Sequence, residues 1–201
     1  MHYNTIPRVQ TMLEKQNKKQ KKIIVIPGIF DIQYECKPLY RIARQMGFEV
    51  LIFHYTPWGH ESYFSIETKL EALIKLHKPA GIVGYSHGGA LAVGAKHSLS
   101  IFSVGGTFSG TLAGYLWHTI GFRQIRYNSE YLLHIQTAIA RRLRSEDKSI
   151  VSVYTPFDVT IIPFTSSKAG ESHLAFALTH QFLCFSSKTQ RTYREWLSSL
   201  Q

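Results

Sequence analysis

Gly84-Tyr85-Ser86-His87-Gly88 sets one serine between two glycines at the spacing G-x-S-x-G, after the apolar run GIVGY (81–85) and before GGALAVGAK (88–96). A tight strand-to-helix turn crowds the residues two before and two after its tip, and glycine at both places removes the side chains that would clash. The serine oxygen is then presented at the tip of a strained elbow. The chemistry this supports is nucleophilic attack on an acyl carbonyl, which needs a base beside the serine and a carboxylate to orient the base.

In such an architecture the chain order is serine, acid, histidine. Two aspartates follow Ser86, and Asp147 precedes its strand, at the wrong end. Asp158 lies beyond a predicted strand, at the edge that carries Ser86. After it come two histidines: His173 opens the last predicted strand and His180 closes it, so His180 falls at the Ser86 edge. Ser86, Asp158 and His180 are therefore the expected nucleophile, acid and base. Asp158 also reads as a turn or helix-capping carboxylate, and His180 as a loop histidine. His87 is expected to line the pocket rather than act as base.

The oxyanion of a tetrahedral intermediate needs preset N–H donors. The expected pair is the amide of His87 and that of Ile29 in the loop PGIF (27–30), with Phe30 as the substitute donor. Pro27-Gly28 also reads as a plain turn.

These residues need a sheet to hold them. Short apolar runs at 23–26, 50–55, 81–85, 101–105, 150–154 and 173–178 alternate with segments of helical period, the pattern of an α/β fold with a parallel sheet covered on both faces. Leu39, Ile42, Ala43 and Met46 form one helical stripe, ended by Gly47. Ile66, Leu70, Leu73, Ile74 and His77 form a second, ended before Pro79. Tyr193, Trp196, Leu197 and Leu200 form the last. The expected organisation is a basic N-terminal segment, 1–21, and one domain, 22–201, with an insertion at about 108–148.

Composition fits that reading, with 201 residues, 44% of them hydrophobic and 18% charged. The formal charge of +10 is compatible with acidic partners such as a phospholipid surface, nucleic acid or an anionic cofactor. Half of it sits in residues 1–22, where Arg8, Lys15, Lys18, Lys19, Lys21 and Lys22 face one acid, Glu14; this reads as a solvated tail or polar helix. Cys36 and Cys184 have no zinc spacing and read as two reduced structural thiols. The N-terminus lacks the uninterrupted apolar stretch of a secretion signal, so the expected location is the cytoplasm. Residues 97–122 carry no Lys, Arg, Asp or Glu, and Gly106, Gly110 and Gly114 repeat at a membrane-helix spacing, but Ser, Thr and Gly interrupt the run and argue against a span.

GYSHGGA (84–90) resembles the nucleophile elbow of the alpha/beta hydrolase superfamily, and within it that of the small lipase and esterase group. GGTFSGTLAGYL (105–116), FDVTIIP (157–163) and THQFLCFSSKTQRTYREWL (179–197) are similar to that group's post-strand segment, acid loop and base region. The sequence has Pro27-Gly28 where His-Gly is usual and Phe108-Ser109 where Pro-His is usual. The resemblance covers about 22–200. It implies an alpha/beta hydrolase fold of about six mainly parallel strands flanked by helices, and a carboxylic ester hydrolase that forms an acyl-enzyme on Ser86 without metal or organic cofactor. Leu112, Leu116, Trp117, Ile120 and Phe122 would form an apolar cap, a candidate lid, and Phe30, Phe108, Leu112 and Trp117 would contact the substrate. Arg123, Arg126, Arg141, Arg142 and Arg144 would meet an anionic head group. The insertion also reads as a helical unit packing its own small core. The expected partners are a small-molecule ester, lipids included, and a membrane surface, with no nucleic acid. The same three residues also serve thioesterases and acyltransferases, and the fold also carries non-catalytic binding proteins.

Overall fold

The structure, a computed structural model, describes residues 20–145 and 149–201. The basic N-terminal segment, apart from Gln20 and Lys21, and Asp147 lie outside the described residues. Six strands, β1 (Lys22–Ile26), β2 (Glu49–Ile52), β3 (Gly81–Tyr85), β4 (Ser100–Val104), β5 (Ile150–Tyr154) and β6 (Glu171–Leu174), form one sheet in the order β2-β1-β3-β4-β5-β6. Every neighbouring pair is parallel. All six C-terminal ends therefore share one edge, which collects the loops that follow them.

Successive strand residues face opposite sides of the sheet, and both sides are buried. Ile24, Ile26, Ile82, Ile101 and Ile150 pack beneath α2 (Tyr63–His77), α3 (His87–Gly94) and α5 (Glu130–Leu143). Ile23, Val25, Val83, Phe102 and Val151 pack beneath α1 (Lys37–Gln45) and α6 (Ser187–Ser199). Each fully buried side chain of this size contributes about 1.5–3 kcal/mol of hydrophobic stabilisation before the cost of ordering. The indole N–H of Trp196 on α6 donates to Ser100 Oγ at 2.8 Å, so this large side chain is buried with its polar atom satisfied.

The boundaries of β3 and β5 match those read from the sequence, whereas β6 does not. It spans 171–174 rather than 173–178 and is exposed rather than buried on both faces. It is one of the two edge strands, and the apolar residues after it leave the ladder once Ala175 N donates to Tyr154 O. His173 lies within β6 and pairs with Glu171 at 2.9 Å.

The segment between β4 and β5 is not a separate unit. Its helix α5 starts at a Ser129 cap, whose hydroxyl accepts from Leu132 N, and buries Tyr131, Leu132, Ile135 and Ala138 in the domain core. Phe122, on the short helix α4 (Ile120–Gln124), is core as well. Of the five residues expected to form an apolar cap, Leu112, Leu116, Trp117 and Ile120 are exposed. Arg142 is buried and donates to the carbonyls of Leu99 and His97, just before β4. Arg141, Arg142 and Arg144 thus stand at the opposite edge from Ser86, and the head-group role expected for them is corrected. No helix among the described residues is long and apolar enough to cross a membrane. The two cysteines, distant in sequence, are buried together between α1 and the 3-10 turn His180–Phe185, and both are free thiols.

Candidate active site

Ser86 joins β3 to α3 with φ 54° and ψ −126°, a conformation costly for a side chain other than glycine. Its amide donates to Val104 O at 2.8 Å, tying the elbow to β4. A Cβ on Gly84 would lie 2.4 Å from Gly88 O, and one on Gly88 would lie 2.3 Å from Ile26 O. Both obstacles are backbone, so only glycine fits at either position. The serine is not presented openly to solvent: at 7% exposure it lies at the floor of the edge.

Asp158 and His180 meet there. His180 Nδ1 and Asp158 Oδ2 are 2.6 Å apart, and both side chains are buried. The other carboxylate oxygen, Oδ1, accepts from the amides of Thr160 and Ile161 at 2.9 and 2.7 Å. These three bonds aim the carboxylate and hold the proton of a neutral imidazole on Nδ1. That leaves Nε2 as the proton acceptor, and it is buried without a hydrogen-bond partner. Gly105, at φ 59°, makes room for the ring: a Cβ there would lie 2.7 Å from His180 Cε1.

The loop after β1 closes the other side. Asp31 N donates to Gly28 O at 2.8 Å, so Ile29 and Phe30 are the central residues of a turn that does not consume their amides. A Cβ on Gly28 would lie 3.1 Å from Ser86 Cβ, so glycine lets this loop approach the serine. The amide of His87 is the first of α3 and has no partner in the helical ladder.

His87 differs from expectation in its side chain. The ring stacks on Tyr63 at 3.7 Å beneath α3, and burial lowers its pKa to about 3. It belongs to the core and does not line the site. Phe108 is likewise a core residue, with its ring end against Gly106, rather than a substrate contact at the mouth. Phe30, half-buried, meets Trp58 edge-on at 4.7 Å and faces Trp117 at 6.4 Å. Trp117 is fixed by Phe122 at 4.7 Å and by Arg126, which donates to the carbonyls of Trp117 and Gly114. Leu112 stands beyond this cluster, more than half exposed.

Two residues near the base were not singled out from the sequence. The Tyr85 hydroxyl donates to the main-chain carbonyl of His180 at 3.2 Å, and its ring lies 5.0 Å from the imidazole. Glu35, in the 3-10 turn Gln33–Cys36, lies nearby; burial raises its pKa, opposed by the neighbouring His180. No local pattern marks either residue, since neither spacing nor periodicity connects them to His180.

No protein-family model matches the sequence, and no curated protein matches it. Solved structures match along most of the chain. A carboxylesterase structure from the thaumarchaeon Nitrososphaera gargenis aligns with TM-score 0.62 and 10% identity over 90% of this chain and 91% of its own. The esterase domain of a Rhodothermus marinus protein aligns with TM-score 0.57 and 14% identity over 91% of this chain and 88% of its own. The chain has the alpha/beta hydrolase fold. A thioesterase domain from the curacin biosynthetic pathway shares that fold with TM-score 0.53 and 10% identity, covering 90% of this chain and 91% of its own. On an alpha/beta hydrolase fold the C-terminal sheet edge is where sites form, and Ser86, Asp158, His180 and the Gly28 turn all lie on it.

Proposed function

We propose that the protein is a serine hydrolase that cleaves carboxylic esters through an acyl-enzyme on Ser86. The observation that carries this reading is the buried 2.6 Å contact between His180 and Asp158 on the sheet edge that holds the strained Ser86 elbow. Ser86 Oγ attacks the ester carbonyl as His180 Nε2 takes its proton, and Asp158 stabilises the imidazolium. The amides of Ile29 and His87 receive the oxyanion. Collapse expels the alcohol, which leaves with the proton from His180. Water then attacks the acyl carbon as His180 takes its proton, and His180 passes that proton to Ser86 Oγ as the acid leaves and the serine is restored.

The acyl chain lies along Phe30, Leu112 and Trp117, whose apolar surfaces at the mouth favour a lipophilic ester. The reaction described needs no metal or organic cofactor, and nucleic acid is not a partner in it.

The test is a fluorophosphonate probe with a panel of p-nitrophenyl esters run beside acyl-CoA thioesters. The native protein should take one label and turn over the esters, and Ser86→Ala should do neither. Labelling that survives Ser86→Ala would remove Ser86 as nucleophile, and exclusive turnover of thioesters would reassign the substrate class.

A further inference from the structure

Three consecutive carbonyls of the turn after β1 are occupied, two of them by the segment that follows β2. The hydroxyl of Tyr55, a buried residue, donates to Pro27 O at 3.1 Å. The amide of Trp58 donates to Ile29 O at 2.8 Å. Between them Gly28 O accepts from Asp31 N at 2.8 Å, and the two Asp31 carboxylate oxygens lie 2.9 and 3.2 Å from His54 Nδ1. An ionised carboxylate only accepts, so Nδ1 carries the hydrogen. Residues 54–58 thus reach the turn at three alternate residues, Pro27, Ile29 and Asp31. The peptide that carries the Ile29 amide is fixed at its own oxygen and through the peptides on both sides of it.

Backbone strain gathers at the same place. Five non-glycine residues among those described have a positive φ, and three of them, Asp31 at 54°, Trp58 at 60° and Ser86 at 54°, stand around this turn. Such conformations cost free energy and persist where the surroundings over-determine them. Trp58 is held by its amide on Ile29, by Thr119 Oγ1, which donates to Trp58 O at 2.9 Å, and by its ring, edge-on to Phe30 at 4.7 Å.

We infer that Tyr55 and His54 are positioning residues for the oxyanion donor: with Trp58 they form a strap that presets the Ile29 amide before the substrate arrives. A donor already aimed at developing charge acts in the transition state and adds little to ground-state binding, whereas a donor that must be ordered during the reaction loses part of its effect. Loosening the strap therefore lowers kcat and spares KM. The inference rests on the ester hydrolase reading of the same site and adds residues that act through the turn rather than on the substrate.

The test compares hydrolysis of a soluble p-nitrophenyl ester with inhibition by an alkyl trifluoromethyl ketone, whose adduct with the serine carries an oxyanion. Tyr55→Phe keeps the ring and removes one bond, and should lower kcat about two- to tenfold with KM little changed, while Ki for the ketone rises by the same factor. His54→Ala should act in the same direction, by about two- to fivefold, because the His54 side chain is half exposed. His54→Asn, whose amide nitrogen can stand near the place of Nδ1, should recover most of that loss. The position of His54 at the surface keeps the test open if Tyr55→Phe fails to fold. Unchanged kcat and Ki in Tyr55→Phe and His54→Ala overturn the inference, as does a rise in KM at constant kcat, or a His54→Asn protein as impaired as His54→Ala. Ester turnover that Ser86→Ala retains would instead overturn the hydrolase reading, and this inference with it.

Discussion

The hydroxyl of Tyr85, the residue immediately before the nucleophile, donates to the backbone carbonyl of His180 across 3.2 Å. One strand end thus carries the serine and also fixes the main chain of the base, 95 residues later in sequence. Tyr85→Phe keeps the ring and removes this bond, one such bond contributing about 0.5–1.5 kcal/mol. If the lost bond loosens the base in the transition state, kcat should fall roughly three- to tenfold with KM little changed. An equal rise in KM at constant kcat would mean that Tyr85 acts on substrate binding instead.

Glu35 places a second carboxylate near His180. Removing its charge in Glu35→Gln withdraws a stabilising partner from the imidazolium, so the acidic limb of the kcat/KM profile should move to lower pH. Rate measurements between about pH 4 and 8 decide this, and an unmoved limb would exclude electrostatic coupling.

His180 and His173 separate the proposed base from a strand histidine. His180→Ala should lower kcat on the order of 10⁴-fold or more, since members of such a unit act together. His173, paired with Glu171 near the start of an edge strand, should be replaceable by alanine with chemistry largely intact. The reverse outcome would move the base to the other histidine.

Glu67 gives a stability test. Burial raises its carboxyl from 4.5 to about 8, although His134 Nε2 lies 3.2 Å away. The folded state therefore keeps the proton that the unfolded chain loses near pH 4.5. The associated stability is complete below that pH and is lost as pH rises through about 8. The stability of the native protein to thermal unfolding should fall over this interval, by up to a few kcal/mol, while Glu67→Gln should flatten the dependence. A variant with the same slope would assign it to other groups.

Trp117 tests the cap. Each methylene buried contributes about 0.8 kcal/mol, so kcat/KM should rise three- to fourfold per added carbon until the acyl site is full. Trp117→Ala should flatten that slope from two- to twelve-carbon p-nitrophenyl esters more than it lowers acetyl ester turnover. Parallel slopes would leave Trp117 a packing residue for Phe30 and Phe122.

What the sequence alone determined is local. The elbow shows as a local pattern because Gly84 meets the backbone of Gly88 four residues on, although what excludes a side chain at Gly88 is the carbonyl of Ile26 on β1, and β3 and β5 show as apolar runs because both of their faces are covered. The order Ser86, Asp158, His180 follows from strand ends in a parallel sheet, and Asp158 and His180 do meet. Burial and edge position were not legible in this way. The run HLAFAL looks like a covered strand, but β6 has a neighbour on one side only, and Leu174, Phe176 and Leu178 emerge into solvent. Phe108, Phe122 and the His87 ring read as site residues, yet each is buried by packing that no spacing encodes. Arg142 joined a basic cluster on paper, whereas the direction of α5 carries it to the far edge of the sheet. The Tyr85–His180 bond and the setting of Glu35 arise only when distant segments meet, because a side chain's neighbours across the fold are set by how the layers pack.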